Sequence, residues 1–330
     1  MPLVSTFIIL TNQENGTIKM RKKTTQETEG EQRRQTLLHT AQAQANALHG
    51  MYRDTLTVFM STPTAVPVPR AARAMFWLGR LRQWRAIDLS RGETCSDTNW
   101  LSLQLGVVES LAGTHALALH KDQWSGPTRR QTYERDMSQL VAMLLALDWR
   151  ELATFAVKSW FGTDHELAVL HPLGGMTGMI VGVAGQALGI TVPQTAFHKN
   201  DALLQRIVES WQDSGGEFPS LACELADRHL TQCSLDTDQS LFDFDHPVEQ
   251  AIPVELLMLL RLRGLSETPA YLAGHAALSH PASTLGHASP PVQSQRCIGF
   301  VERVSRLLPQ YRSLSDALEA QSRHQASATL

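Results

Sequence analysis

The 330-residue chain is poor in the residues that mark several common classes of protein. Its four cysteines are widely spaced and form no C-x-x-C pair, which excludes a disulfide framework and disfavours a structural zinc site. Such sparse thiols favour a reducing compartment, so we expect a cytoplasmic location. Charged residues make up only 18% of the chain, but 43% of it is hydrophobic, which is enough for a substantial core.

The motifs of several common enzyme families are also missing. The chain contains no G-x-G-x-x-G, no G-x-x-x-x-G-K-[ST] and no G-x-S-x-G, and no histidine is followed by aspartate. The stretch "HELAVLH" places His165 and His171 six residues apart, so on a helix they point in different directions and cannot form the zinc-protease pair H-E-x-x-H. We therefore predict no catalytic residues, no metal site and no cofactor.

The spacing of apolar residues predicts an all-α protein of stacked antiparallel helices, as a helical bundle or an irregular helical array. The chain has no strong run of alternating β-branched residues, so no strand is predicted. Asp148, three residues before Glu151, resembles a capping box and predicts a helix start there. Helices are predicted over residues 33–60, 69–90, 97–120, 201–211, 253–265 and 292–308.

The predicted domain organisation is simple. We expect a flexible N-terminal extension over 1–34, a single all-α domain over 35–312 and a C-terminal helix end and frayed tail over 313–330. A subdivision near 161–175 is an alternative. The first apolar run is short and precedes its basic cluster, so no secretory signal is predicted, and Met20 is a second candidate start.

A glycine-rich stretch, "HPLGGMTGMIVGVAGQALGITVP", has no formally charged residue from Pro172 to Pro193. Its strongly apolar part is much shorter than a bilayer requires, so we predict no membrane span. Four glycines step by four, three and four residues and would form one stripe on a helix: Gly178, Gly182, Gly185 and Gly189. The stripe predicts a buried helix that a neighbouring helix approaches closely.

Charge is distributed unevenly along the chain. Residues 20–92 carry twelve Lys or Arg against five Asp or Glu, a net of +7, whereas residues 201–260 carry two against twelve, a net of −10. This asymmetry indicates either an acidic surface that faces a partner or attraction between the two halves of the chain. The overall net charge is −3, so no nucleic-acid partner is expected.

The stretch "ACELADRHLTQCSLD" collects two cysteines, a histidine and several acids within residues 222–236. Projection on a helix turns His229 inward, with Cys233 one turn away, and turns Asp227 to the opposite side. We therefore interpret His229 as a core histidine with a buried hydrogen bond, with a His–Cys catalytic pair as an alternative. Among the later histidines, His275, His280 and His287 could gather at a metal, but solvated loop histidines are the simpler interpretation.

The segment that follows, "SLDTDQSLFDFDHPVE", alternates acids and phenylalanines and has no Lys or Arg. Aromatic residues supply buried contact area and acids steer a basic partner, so this pattern predicts a protein interface. An exposed loop with one phenylalanine in the core is the equal alternative. The predicted interface residues are Asp236, Asp238, Phe242, Asp243, Phe244, Asp245 and Glu249.

The segment "ADRHLTQCSLDTDQSLFDFDHPVEQAIPVELLMLLRLRGL" (226–265), with the later pair His280–Pro281, resembles the immunity protein 49 family, which is encoded beside bacterial polymorphic toxins. The resemblance implies a bacterial, non-enzymatic protein that binds and neutralises a cognate toxin. It identifies no toxin-contacting position and no oligomeric state.

Two other functions remain open from the residues alone. One is a helical hydrolase or transferase whose site assembles His229, His171 and Glu166. The other is a helical adaptor that binds acidic partners or nucleic acid through Arg70, Arg73, Arg80, Arg82 and Arg85.

Overall fold

The computed structural model describes residues 8–11, 19–22, 48–62, 65–90, 95–119, 128–163, 171–213, 216–236, 239–285 and 289–328. Helices account for most of these residues, so the predicted all-α class is confirmed. The helices are α1 (48–61), α2 (Val68–Leu89), α3 (Asp97–Leu119), α4 (Thr128–Ala146), α5 (Arg150–Phe161), α6 (Gly175–Leu188), α7 (Ala202–Ser210), α8 (Phe218–Gln232), α9 (Pro247–Ala251), α10 (Val254–Leu262), α11 (Gln295–Leu307) and α12 (Arg312–Ala328).

Shorter elements complete the described part of the chain. Strands β1 (Ile8–Thr11) and β2 (Lys19–Lys22) form an antiparallel hairpin in which Ile8 lies opposite Lys22. No strand is predicted from the sequence, so the structure differs from the prediction at these eight residues. Single turns of 3₁₀ helix lie at Lys199–Asp201, Ala270–Leu272, Ala276–Leu278 and Pro309–Tyr311.

The most extensive contact between helices joins α2 and α3, and glycines allow it. A Cβ atom on Gly79 would lie 2.5 Å from the backbone nitrogen of Ser110, and one on Gly106 would lie 2.7 Å from the carbonyl oxygen of Gly79. At Gly113 a Cβ atom would lie 2.4 Å from the backbone nitrogen of Phe76. The two backbones are therefore in direct contact, closer than any side chain would permit.

Helix α3 is buried on nearly all sides, from Leu103 to Ala118. Around it, α10 packs on α4, α4 packs on α5 and α6, and α12 packs on α5. The buried hydrophobic residues form one continuous cluster that extends from Leu56 in α1 to Leu318 in α12. Among the described residues, no helix combines the length and the apolar character needed to cross a bilayer.

The glycine stripe of α6 contacts a different neighbour from the one predicted. Cβ atoms on Gly178 and Gly185 would lie 2.6 Å from the carbonyl oxygen of Leu173 and 2.8 Å from the Val192 side chain. The close neighbour is therefore mainly the extended chain on either side of α6, rather than a helix. The prediction for Gly189 is wrong, because α6 ends at Leu188 and Gly189 is its left-handed cap, with a φ of 66°.

The C-terminal helix α12 corrects two further predictions. It continues through Ala328, and Gln321 and Gln325 are buried, so part of the predicted frayed tail packs against the domain. Gln321 Oε1 accepts a hydrogen bond from the backbone N–H of Glu151 at 2.8 Å. Asp148 does not cap α5, because it adopts a φ of 60° and no side chain of the cap residue bonds to the helix. The cap comes from α12 instead.

Candidate functional site: the arginine-held loop

Residues 234–246, here called the acidic loop, leave α8 and return to α9. The backbone closes the base of the loop, since Phe244 N–H donates to the carbonyl of Gln232 and Ser234 N–H donates to the carbonyl of Phe244, both at 3.3 Å. The buried side chain of Gln250 donates to the same Phe244 carbonyl at 3.0 Å. The loop therefore begins and ends at a fixed point on the core.

Arg135 of α4 holds the middle of the acidic loop through three hydrogen bonds. Its Nη1 donates to Asp236 Oδ2 at 3.0 Å and to the carbonyl of Phe242 at 3.1 Å, and its Nη2 donates to Asp245 Oδ2 at 2.7 Å. Asp236 in turn accepts the Phe242 N–H at 2.8 Å. One guanidinium group thus fixes both arms of the loop, and charge-assisted bonds of this kind are among the stronger ones in proteins.

Two more arginines pair with the remaining acids. Arg228 of α8 donates to Asp243 Oδ2 from both Nε and Nη2, at 3.0 and 2.8 Å. Arg80 of α2 donates from Nη2 to Glu249 Oε1, and both side chains are almost completely buried. The Arg80–Glu249 pair joins the basic and the acidic parts of the sequence, so attraction between the two halves accounts for this part of the charge asymmetry.

The structure changes the predicted role of most loop residues. Phe244 and Glu249 lie in the core, so the prediction that they face a partner is wrong for these two. Asp236, Asp243 and Asp245 are occupied by arginines of the same chain and are not free to attract a basic partner in the way predicted. Phe242 is partly buried. Asp238 lies outside the described residues.

Two leucines are the apolar groups that the acidic loop presents to solvent. Leu241 is 77% exposed and Leu235 is 50% exposed, which makes Leu241 the most exposed large hydrophobic side chain in the described part of the chain. Gln239 and Ser240, beside Leu241, are also exposed. Neither leucine is among the predicted interface residues, which are all acids or phenylalanines. In the sequence, each is an apolar residue inside a polar segment without helical periodicity, and this pattern could have identified both as exposed apolar groups.

The carboxylates nearest to Arg80 and Arg135 are crowded. Burial is the main cause that raises the pKa of Asp136 to about 6, and Asp245 adds to the effect against the attraction of Arg80. Burial and then the repulsion of Glu249 raise the pKa of Asp245 to about 6, although Arg135 opposes this. Burial also raises the pKa of Glu249. The cluster therefore holds protons more tightly than isolated carboxyl groups do.

His229 is fully buried beneath the acidic loop, on the inward face that its helical projection indicates. Its Nδ1 lies 2.9 Å from Glu255 Oε1, and its Nε2 lies 3.3 Å from the carbonyl of Gln250. Burial disfavours the charged imidazole, but the neighbouring Cys233 and Glu255 outweigh it and raise the pKa of His229 to about 10. The Phe244 ring covers the imidazole, with ring centroids 4.4 Å apart. A cysteine, a histidine and an acid thus meet in a closed space with no solvent exposure.

Three histidines that follow α8 share a structural role. The Nδ1 atoms of His246, His275 and His280 each accept the backbone N–H two residues later, at 3.1 to 3.3 Å. The prediction that His275 and His280 are solvated is wrong, because both are buried. His275 Nε2 also contacts Asp227, while His280 Nε2 donates to the carbonyl of Ile87 at 3.1 Å. Each histidine therefore stabilises a short turn.

The residues proposed for a hydrolase or transferase have different surroundings. His171 Nε2 pairs with Glu134 at 3.0 Å on the exposed side of the domain, whereas His229 bonds to Glu255 in the core. Glu166 lies outside the described residues. Within the described ranges, no three His, Cys, Asp or Glu side chains are arranged to hold a metal ion.

Comparison of the chain with protein-family models, with curated proteins and with solved structures finds no match.

Proposed function

We propose that the protein is a non-enzymatic bacterial immunity protein that binds and neutralises a cognate toxin in the cytoplasm, and that the acidic loop is its contact surface. The observation that carries this proposal is the way Arg135 holds the loop while Leu235 and Leu241 remain exposed. The resemblance of residues 226–265 to immunity proteins supports the identity of the partner.

Preorganisation is the physical reason that this loop suits recognition. Binding costs free energy when flexible segments must be ordered, and a loop that is already fixed avoids most of this cost. Arg135 donates three hydrogen bonds, and Asp236 accepts one from the Phe242 N–H, so the chain is held at Asp236, Phe242 and Asp245. Leu241 is exposed beside the held Phe242 and can therefore insert into a complementary apolar pocket of a partner.

The acids of the loop act within the protein in this proposal. Their pairing with Arg135 and Arg228 holds the loop and offsets up to half of the charge of its four aspartates. Binding is then driven by apolar contact, and the affinity depends only weakly on salt. In the proposal the acids hold the loop, whereas the sequence pattern alone predicts that they steer a basic partner.

The toxin is expected from the gene beside this one, because immunity proteins of the type that residues 226–265 resemble are encoded next to their toxins. The experiment measures binding of the purified protein to the C-terminal domain of the neighbouring gene product by biolayer interferometry. The double variant Leu235→Ser/Leu241→Ser removes the apolar contact. Burial of the exposed fractions of two leucines is worth about 2–3 kcal/mol, so Kd should rise roughly 30- to 150-fold.

A matched control uses a leucine at another surface. Leu307, 47% exposed at the end of α11, has an exposure close to that of Leu235. Leu307→Ser should leave Kd within about twofold of the wild-type value. If the complex forms and the double variant binds as tightly as the wild type, the acidic loop is not the interface. If the domain neither binds the protein nor is neutralised by it on co-expression, the toxin assignment fails.

A further inference from the structure

A cleft of about 430 Å³ lies along α2, and Arg80, which pairs with Glu249, is not among the residues that line it. Arg82 and Arg85 of α2 and Arg296 of α11 line it, together with Leu78, Leu81 and Leu89. This volume is within the range of small-molecule sites in proteins, and the combination of apolar walls with a few converging charged groups is typical of them. None of these residues takes part in the proposed interaction of the acidic loop.

A buried carboxylate orders two of the three arginines. Glu109 of α3 is fully buried, and its Oε2 accepts from Arg82 Nε at 3.1 Å and from Arg296 Nη2 at 2.7 Å. Its Oε1 accepts from the hydroxyl of Ser294 at 2.5 Å. Glu109 therefore fixes two guanidinium groups from different helices side by side before any ligand arrives.

Many donors of these arginines are not used within the protein. Arg82 is bound through Nε alone, so its two Nη groups make no hydrogen bond to the described residues. Arg85 is exposed and has no hydrogen-bond or ion-pair partner among the residues that the structure describes. The Nε of Arg296 is buried and likewise has no acceptor in that part of the chain. The cleft thus presents several N–H groups from three arginines of two helices.

The local charge is positive. Three arginines line or flank the cleft, against two carboxylates, Asp88 at its wall and Glu109 behind it. His49 of α1 completes the wall, and its pKa is lowered first by burial and then by the nearby arginines Arg296, Arg85, Arg53 and Arg82. Near pH 7 His49 is therefore neutral, and the arginines supply the attraction for an anion.

We propose that this arginine cleft binds the phosphate group of a small phosphorylated molecule, whose apolar body packs on Leu81 and Leu89. A phosphate group has three terminal oxygens that can accept from guanidinium groups on different sides, whereas one carboxylate is satisfied by a single arginine fork. Three arginines from two helices therefore suit phosphate better than carboxylate. The leucines exclude water from one side of the anion and bind an apolar ring.

Isothermal titration calorimetry of the full chain with four probes tests this inference. The probes are phenyl phosphate, inorganic phosphate, benzoate and phenol, all at low ionic strength. Phenyl phosphate should bind at least about tenfold more tightly than each of the other three, because it alone combines both groups that the cleft recognises. Equal binding of benzoate would overturn the choice of phosphate, and equal binding of phenol would overturn the role of the arginines.

The variant Arg85→Gln removes a cation that no described residue uses, so the fold is expected to be unaffected. Its affinity for phenyl phosphate should fall about tenfold, the typical effect of one charge-assisted hydrogen bond. The control is Arg306→Gln, which changes an arginine of α11 whose side chain is 76% exposed. Unchanged affinity in Arg85→Gln, an equal loss in Arg306→Gln, or no heat of binding with phenyl phosphate would each overturn the proposal.

Discussion

The contact between α2 and α3 makes a quantitative prediction, because its closest point is between backbones. In Gly113→Ala the new Cβ atom would lie 2.4 Å from Phe76 N and 2.6 Å from the carbonyl oxygen of Ala72. Ordinary contact begins at 3.4 Å, so the helices must separate locally by about 1.0 Å (3.4 − 2.4). Neither backbone atom can rotate away as a side chain could.

The size of the effect follows from two opposing terms. Overpacking of a core costs typically 1–3 kcal/mol and occasionally more, and the backbone contact places Gly113→Ala at or above the upper end. Alanine recovers about 1 kcal/mol relative to glycine in a helix. We expect a net loss of about 2–3 kcal/mol, which corresponds to a fall in Tm of roughly 5–10 °C for a domain of this size.

A second glycine in a helix provides a control with the opposite sign. Gly50 lies in α1, and a Cβ atom there would meet nothing within 4 Å. Gly50→Ala should therefore gain the helix propensity alone, about 0.5–1 kcal/mol. Circular dichroism melts and urea titrations of both variants give Tm and the free energy of unfolding. The reasoning is refuted if Gly113→Ala is as stable as the wild type, or if both variants shift in the same direction.

Two further predictions concern stability. The pKa of Asp136 is raised to about 6, so the folded protein retains on Asp136 a proton that the unfolded chain loses near pH 4. The stability that depends on this proton is complete below pH 4 and is lost as the pH rises through 6. Asp136→Asn should thus stabilise the protein by about 1–2 kcal/mol at pH 7.5 and by little at pH 4, as measured by urea titration. The exposed control Asp316→Asn should not stabilise the protein at either pH. A gain at pH 4 equal to that at pH 7.5 in Asp136→Asn would contradict this prediction. Gln321→Ala should cost about 1–2 kcal/mol in the same assay, since it leaves the N–H of Glu151 without its acceptor, and an unchanged midpoint would exclude this capping role.

Helix positions followed well from the sequence where one face or all faces of a helix are buried. The predicted helices over 69–90 and 97–120 correspond to α2 and α3 within one residue at each end. Helix α11 begins three residues later than predicted, because Ser294 is its N-cap and accepts the N–H of Cys297 at 3.1 Å. Periodicity and capping are local signals, so a single sequence is enough to reveal them.

The glycines show where local signals end. The stripe in α6 stood out because its members are close in sequence, but the tightest helix contact uses Gly79 in α2 with Gly106 and Gly113 in α3. Each helix alone has too few glycines to form a pattern. Their function depends on the alignment of two helices, which only the tertiary structure determines.

The role predicted for the acids of the acidic loop is wrong for a related reason. Within residues 234–249 there is no Lys or Arg, so the acids looked free to meet a partner. Two of the three arginines are distant along the chain, with Arg135 more than 100 residues from Asp236 and Arg80 169 residues from Glu249, whereas Arg228 is 15 residues from Asp243. The uneven charge distribution indicates only the Arg80–Glu249 pair, because Arg135 and Arg228 lie outside the basic residues 20–92.

The cysteines give the protein a set of internal reporters. Cys233 and Cys297 are buried, while Cys95 and Cys223 are partly accessible, and burial raises the pKa of Cys297 to about 12. A thiol reagent therefore modifies the second pair readily and reaches the first only when the surrounding elements open. Since Cys233 lies at the base of the acidic loop and Cys297 in α11, the rates of their modification measure opening at two separate places in the native, unlabelled chain.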